Sequence, residues 1–295
     1  MTDPISQEIT DARRRFDEAC ERLRPDLHRF CTRMTGDPCA GEDLVHDTLV
    51  LAFYRLAELR DLTSLRAWLF RIAHNKCIDL LRARRRLDAL GDDDTLDPEH
   101  PMDERLDRKQ RTERVLANIV TELPPRERAC VLLRDVLDHS LEHTAEIVGS
   151  SVGAVKAALH RGRDKLERAD HAPPRPRRAL PARHRDLIQR YLAAFNRRDW
   201  DAVRSLLSAD ARLEVVHRSE GPFGTTYFTN YGRLAWPWKL ALAHVDGTES
   251  IVHFRQVDGT WLPHAIIQLA IADDQITLVR DYIHVDYLLR YSTID

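Results

Sequence analysis

Several groups of residues carry charge or hydrogen-bonding capacity at helical spacing. Asp43, His46 and Asp47 lie beside an apolar stripe and form an exposed acidic edge. Arg71, Asn75, Asp79 and Arg82 recur at steps of four, four and three, which places them on one helix face, cationic at both ends and followed by Arg84, Arg85 and Arg86. Guanidinium groups clamp phosphates and an Asn amide reads a base edge, so nucleic acid fits this face; a solvated helix surface carries the same pattern. Further on, Ser151, Ala154, Lys156, His160, Arg161, Arg163 and Lys165 project from one helix, a net positive mix able to read a groove and hold phosphates.

Each group needs an element to hold it. From Ala12 to Met34 the apolar positions Phe16, Cys20, Leu23, Leu27, Phe30 and Met34 alternate three and four apart, as one helix face requires. Gly36, Asp37 and Pro38 stop that helix and start the next. Leu44, Val45, Thr48, Leu49, Ala52, Phe53 and Leu56 form the buried stripe of a second helix, behind the acidic edge. A third opens at Thr63 or Ser64 and buries Leu65, Trp68, Leu69, Ile72, Cys77 and Leu80, opposite the Arg/Asn face.

Two more helices, about Thr112 to Leu123 and Pro125 to Leu137, meet at Pro124 and Pro125. A short helix from Leu141 to Val148, a turn at Gly149-Ser150-Ser151 and a longer helix from Val152 to about Arg168 make a helix-turn-helix pattern, with Val155 and Leu159 facing inward. His139 and His143 stand four apart without further clustered ligands, which reads as a turn, and no metal site is expected.

The chain has 295 residues, 43% hydrophobic and 31% charged, with a formal net charge of -2, which excludes collagen-like, membrane-spanning and wholly disordered chains. The N-terminal stretch MTDPISQEIT lacks a basic segment and an apolar run, so neither export nor membrane insertion is expected and the cytoplasm is. Cys20, Cys31, Cys39, Cys77 and Cys130, odd in number and irregularly spaced, read as reduced core thiols. Charge is segregated along the chain. Residues 91–108 are strongly acidic, and 172–185 carry five Arg, four Pro and no acid. These stretches divide the chain into blocks at 1–90, 112–171 and 184–295, with an acidic linker at 91–111 and a Pro/Arg linker at 172–183.

GEDLVHDTLVLAFYRL followed by LRAWLFRIAHNKCIDLLRARRR closely resembles region 2 of the extracytoplasmic-function (ECF) group of bacterial RNA polymerase sigma factors, and LPPRERACVLLRDVLDHSLEHTAEIVGSSVGAVKAALHRGRDKL resembles their region 4. The resemblance implies an alternative sigma factor, without enzymatic activity or cofactor, that binds core RNA polymerase and promoter DNA. It assigns Glu42, Asp43, Leu44, His46 and Asp47 to core-polymerase binding. Arg71, Asn75, Asp79 and Arg82 go to the minus-10 element, with the loop Arg60 to Thr63 capturing a flipped base. Ser151, Ala154, Lys156, His160, Arg161 and Arg163 go to the minus-35 element. The family more often has Gln at the position of His46.

The last block changes pattern. Helices from Arg185 to Asn196 and Asp199 to Leu207 precede strand-like stretches at Arg212 to Arg218, Thr248 to Val257, Trp261 to Ala272 and Gln275 to Val285, with hairpin chemistry at Asp246-Gly247 and Asp258-Gly259. RYLAAFNRRDWDAVRSLLSADARLEVV resembles the start of SnoaL-like domains of the nuclear-transport-factor-like cone fold. The fold class expected is therefore multidomain: two all-α domains, the second a helix-turn-helix, followed by an α+β cone-shaped domain with a curved antiparallel sheet. Enzymes of that fold place an Asp or His inside the cone, so His217, His253, His264, Asp281 and His284 are candidate acid or base groups, and Tyr227, Tyr231, Trp236 and Trp238 candidate pocket walls. The expected role of this block is regulatory, through a small-molecule ligand or a regulatory protein. Two alternatives stand beside the sigma-factor reading: a helix-turn-helix regulator that binds DNA without polymerase, and a SnoaL-like enzyme with a tethered DNA-binding module.

Overall fold

The computed structural model describes residues 4–59, 61, 64–89, 119–120, 122–170, 182–246, 248–290, 292 and 294. The acidic linker, most of the Pro/Arg linker, most of the helix expected from Thr112 and, Asp61 apart, the loop Arg60 to Thr63 lie outside the described residues. The chain divides into two compact units: a helical one containing 4–89 and 119–170, and an α+β one containing 182–294.

In the helical unit, α1 (Pro4–Thr35), α2 (Pro38–Tyr54) and α3 (Leu65–Ala89) carry the first block. The α1 face expected from spacing is inside: Phe16, Cys20, Leu27, Phe30 and Met34 are buried, and Leu23 is partly so. Gly36, at φ +76°, ends α1, and the Asp37 carboxylate caps α2 by accepting from Cys39 N at 2.9 Å and Ala40 N at 3.1 Å. Phe30 and Phe70 meet edge to face at 5.6 Å, locking α1 to α3, and Trp68 is buried beside Leu65 and Ile72.

The second helical block comprises α4 (Pro125–Val131), one π-turn (Leu132–Val136), α5 (Leu141–Ile147) and α6 (Val152–Asp170). Ser140 caps α5 by accepting from His143 N at 3.1 Å, and Gly149 at φ +62° makes the turn that the helix pair needs. Val155, Ala158 and Leu159 bury the inner face of α6. Both helical blocks share one hydrophobic core, so the two expected all-α domains form a single compact unit.

The α+β unit opens with α7 (Ala182–Asn196) and α8 (Trp200–Ser205), followed by β1 (Leu207–Val215), β2 (Ser219–Pro222), α9 (Thr225–Gly232), β3 (Trp238–Val245), β4 (Thr248–Val257), β5 (Thr260–Ala272) and β6 (Gln275–Asp281). The sheet order is β2-β1-β6-β5-β4-β3. The expected two helices and sheet are present, with one correction: the sheet is mixed, because β1 pairs with β6 in parallel while every other pair is antiparallel. A parallel pair needs a long crossover, and residues 216–274 supply it. Asp258 and Gly259, at φ +49° and +79°, form the two-residue turn that the hairpin chemistry requires, and Asp273 and Asp274 make a second. The helices cover one sheet face: Tyr191, Phe195, Tyr227, Phe228 and Tyr231 pack with Trp238, Leu240, Ile251 and Ile267.

Candidate functional site

The acidic edge is where the helix pattern puts it. Asp43, His46 and Asp47 are exposed on α2, and Asp47 takes an ion pair from Lys76 of α3 at 3.1 Å. Glu42 and Leu44 do not join that edge. Glu42 is 1% exposed and pairs with Arg24 of α1 at 3.2 Å, and Leu44 packs in the core. Helix geometry separates them: Glu42, Val45 and Thr48 share the face turned to α1, a step away from Asp43 and Asp47.

On α3, Arg71, Asn75, Asp79 and Arg82 are all exposed on one face, with Asp79 and Arg82 paired at 3.5 Å. Asn75 Oδ1 lies 3.4 Å from Nδ1 of the buried His74, whose pKa burial lowers. A neutral ring that donates there would fix the amide orientation.

On α6 the expected contact residues divide by local duty. Lys156 and His160 project outward, whereas Ser151 spends its hydroxyl on the helix start, accepting from Ala154 N at 3.2 Å, and Ala154 is half-buried. Arg161 and Arg163 are exposed but tied back to the preceding elements. Arg161 Nε donates to Glu127 at 2.9 Å, Lys165 Nζ to the other Glu127 oxygen at 2.7 Å, and Arg163 grips Asp135 in a bidentate pair at 2.6 and 3.0 Å. Burial alone would raise the Glu127 pKa, but the Lys165 and Arg161 hydrogen bonds outweigh it and hold the carboxyl below its ordinary value. Glu127 and Asp135 thus set the presentation of the basic face. Sequence reading passed over both, because each partner lies 28 to 38 residues away.

In the α+β unit, the rings of Tyr227, Trp238 and His253 gather around Tyr231, and Asp281 joins the two tyrosine hydroxyls. The Tyr227 and Tyr231 hydroxyls donate to Asp281 Oδ2 at 2.8 and 2.7 Å, and Ile283 N donates to Oδ1 at 2.9 Å. Burial pushes the Asp281 carboxyl up to about 6 even though these donors pull it down. The i, i+4 spacing of Tyr227 and Tyr231 was a legible sign that both hydroxyls share one side of α9. His253 is fully buried 5.7 Å from the Tyr231 and Trp238 rings and 5.5 Å from His264, and burial holds its pKa down at about 3. His217 and Trp236 correct the expected set. His217 sits exposed at φ +66° in the β1–β2 turn, and Trp236, 37% exposed, lies against His264 rather than in the buried cluster. His284 is exposed as well. A cleft of about 720 Å³ lies on other residues, including Arg204, Asp210, Arg212 and Phe223.

Among the described residues no group of three or more His, Cys, Asp or Glu could hold a metal; His139 is buried and His143 exposed. All five cysteines are buried free thiols, and no helix among the described residues is long and apolar enough to cross a membrane.

Comparison with known proteins agrees with this geometry. The profile of Sigma-70 region 2 matches residues 20–87, and that of Sigma-70 region 4 matches residues 113–166. The ECF RNA polymerase sigma factor SigG of Mycobacterium tuberculosis is 33% identical over 251 residues, covering 73% of this chain; the chain spans 65% of that protein's length. The RNA polymerase sigma-E factor of Streptomyces coelicolor is 30% identical over 172 residues, which cover 58% of this chain and 94% of that protein. Among solved structures, the sigma factor RpoE of Bartonella quintana, in complex with the anti-sigma factor NepR, aligns at 25% identity and a TM-score of 0.44 over 52% of this chain and 95% of that one. With the Streptomyces sigma-E factor matched over 94% of its own length, and with regions 2 and 4 in the expected order, the chain belongs to the extracytoplasmic-function group of the sigma-70 family of RNA polymerase sigma factors.

Proposed function

We propose that this chain is an alternative sigma factor that docks on core RNA polymerase and directs initiation at specific promoters. The α2 edge formed by Asp43, His46 and Asp47 meets the polymerase, with Glu42 and Leu44 bracing the helix from behind. Arg71, Asn75, Asp79 and Arg82 read the minus-10 element. Lys156, His160, Arg161 and Arg163 engage the minus-35 element, with Ser151 and Ala154 setting the start of the reading helix. The observation that supports this most is the pairing of two exposed Arg-bearing helix faces, on α3 and α6, with a separate acidic edge. A DNA-binding regulator acting alone has no use for that edge.

The test is run-off transcription with core RNA polymerase and promoter templates. Promoter-specific initiation is the expected result, and its absence overturns the reading.

The C-terminal unit modulates the sigma regions by binding a small molecule or a regulatory protein; it performs no catalysis and needs no cofactor. Its support is fusion to regions 2 and 4 through the Pro/Arg stretch, together with an Asp281 carboxylate whose oxygens are already taken by Tyr227, Tyr231 and Ile283 N. Truncation after His171 checks it: unchanged promoter-directed transcription and unchanged core affinity defeat the modulatory role.

A further inference from the structure

The largest break in the sheet of the α+β unit falls in the first half of β1. From Leu207 to Arg212 this strand advances five residues while β6 advances two, from Ile276 to Leu278, so three residues of β1 stand outside the ladder. The shifts between β4 and β5 and between β5 and β6 displace one residue each. On its other side β1 pairs with β2 from Arg212 onward, and past that pair Phe223 N reaches back to donate to Ala211 O at 2.9 Å. A bulge re-aims the side chains it carries, and bulges recur beside binding sites.

The bulged segment lines the cleft of about 720 Å³, together with Arg204 of α8 and residues 222–224. That volume suits a small organic molecule. Leu207, Ala211, Pro222 and Phe223 supply apolar surface, and Phe223 packs on Tyr227 and Phe228 at 5.4 and 5.3 Å, which fixes its ring. The polar groups carry both signs. Ser208 Oγ donates to Asp210 Oδ1 at 2.9 Å, which puts the two side chains on one side of the bulge and holds the carboxylate by one oxygen. Arg204 pairs with Asp201 and Arg212 with Glu220, and no member of either pair is less than 43% exposed. Exposed pairs contribute little, so either guanidinium turns to a ligand at small cost. Arg204 also lies over the Phe228 ring at 5.2 Å, against the same aromatic group as Phe223.

This mixture of signs selects among ligands. A plain anion gains little, because Asp201, Asp210 and Glu220 outnumber Arg204 and Arg212. A plain amine leaves both guanidinium groups unused. A molecule with an ammonium and a carboxylate meets each sign with its opposite and adds no net charge. Its ammonium donates to Asp210, and its carboxylate accepts two parallel hydrogen bonds from the planar fork of Arg204 or Arg212. We propose that the cleft binds an amphipathic zwitterion of the amino-acid class, with its side chain against Leu207 and Phe223. The site rests on the reading that the C-terminal unit modulates through a small molecule, gives that molecule its chemical class, and uses none of the Asp281 cluster.

The test is calorimetric titration of the full chain with L-phenylalanine, phenylpropionate and phenethylamine, since the two analogues lack the ammonium and the carboxylate respectively. L-Phenylalanine is expected to bind saturably, and each analogue about tenfold more weakly, the loss of one hydrogen-bonded charge. Asp210→Asn removes the preference over phenylpropionate, and Arg204→Gln with Arg212→Gln removes the preference over phenethylamine. Ala209→Trp, which fills the cleft from an exposed position, removes all binding. Equal affinities for the three probes, no saturable binding of L-phenylalanine, or variants that bind as the wild type does overturn the site. Run-off transcription with and without L-phenylalanine separates the site from the modulatory reading. Binding of the expected selectivity that leaves transcription unchanged, with truncation after His171 also without effect, upholds the site and defeats modulation. A truncation that alters transcription, in a chain that binds none of the probes, defeats the site and upholds modulation.

Discussion

The Glu127 carboxylate accepts the Arg161 Nε–H at 2.9 Å, so a residue of α4 holds in place a cation that the helix-turn-helix pattern assigns to DNA. Because Lys165 shares the same carboxylate, Glu127 neutralises part of the positive face it positions. Glu127→Gln is expected to cost only about 1 kcal/mol, since Arg161 is 56% exposed and solvent screens the pair. It is also expected to steepen the dependence of DNA affinity on salt, by releasing a cation to the phosphates. Thermal unfolding and binding titrations at several salt concentrations measure both. An unchanged salt slope shows that Arg161 serves only the fold.

The same contrast separates Lys156 from Arg161. Lys156 projects outward from α6, and Lys156→Ala should weaken DNA binding uniformly across sequences and reduce the salt slope by about one. Arg161→Ala should lower affinity with a smaller change in slope, because its charge is already half-spent on Glu127. Equal slopes for the two variants contradict this ordering.

Asp43 tests the proposed polymerase-binding edge apart from the proposed DNA faces. It is exposed on α2, so Asp43→Arg reverses the edge charge without touching the core and should weaken core-polymerase binding tenfold or so, equivalent to about 1.4 kcal/mol. Melting temperature is expected to hold. Retained core affinity removes Asp43 from the interface.

Much of the helical unit was legible because its signals are local. A three-four apolar alternation, a Gly-Asp-Pro stop and a cap each act within a few residues, and α1, α2, α3, α5 and α6 stand where those signals put them. Exposure of Arg71, Asn75, Asp79 and Arg82 follows from the same periodicity. What stayed hidden is non-local. β2, α9 and β3 gave no clear period, and the parallel pairing of β1 with β6 joins segments some sixty residues apart. Glu127 and Asp135 looked like ordinary surface acids, and His139 like a turn residue, until the fold brought Arg161, Arg163 and Phe70 to them. Glu42 shows the converse: a motif position named for binding is claimed by Arg24 and the core.

The interior of the α+β unit predicts an unusual response to pH. His253 is neutral when folded, with its pKa held at about 3 against an ordinary 6.5, so its contribution to stability is present above 6.5 and lost as pH falls towards 3. Asp281 acts in the opposite sense. With its pKa raised from 3.8 to about 6, its contribution is fully present below 3.8 and lost as pH rises through 6. Between pH 4 and 6 the two slopes, each up to about 1.4 kcal/mol per pH unit, oppose one another. Asp281→Asn should therefore expose a loss of stability on acidification, and His253→Phe a gain. Urea unfolding followed by tryptophan fluorescence reads this, because Trp200, Trp236, Trp238 and Trp261 all lie in this unit. Parallel pH profiles for wild type and both variants overturn the assignment.

Gly41 sets how closely α2 lies against α1, and so where the acidic edge stands. A Cβ at this position would come 2.4 Å from Thr32 Oγ1 and, more tellingly, 2.9 Å from the Thr32 backbone nitrogen, which cannot swing away. Alanine gains about 1 kcal/mol over glycine in a helix interior, but overpacking a tight crossing costs about 1 to 3 kcal/mol. Gly41→Ala is therefore expected to destabilise the helical unit by about 1 kcal/mol or more, and to weaken core binding by shifting Asp43 and Asp47 with their helix. Gly153→Ala on α6 supplies the control. Nothing lies within 4 Å of a Cβ there, so the same substitution should leave stability level or raise it by a few tenths of a kcal/mol. Melting temperatures of the two variants moving in opposite directions support a crossing held by Gly41; a stabilising Gly41→Ala shows that α2 can back away from α1 at no cost.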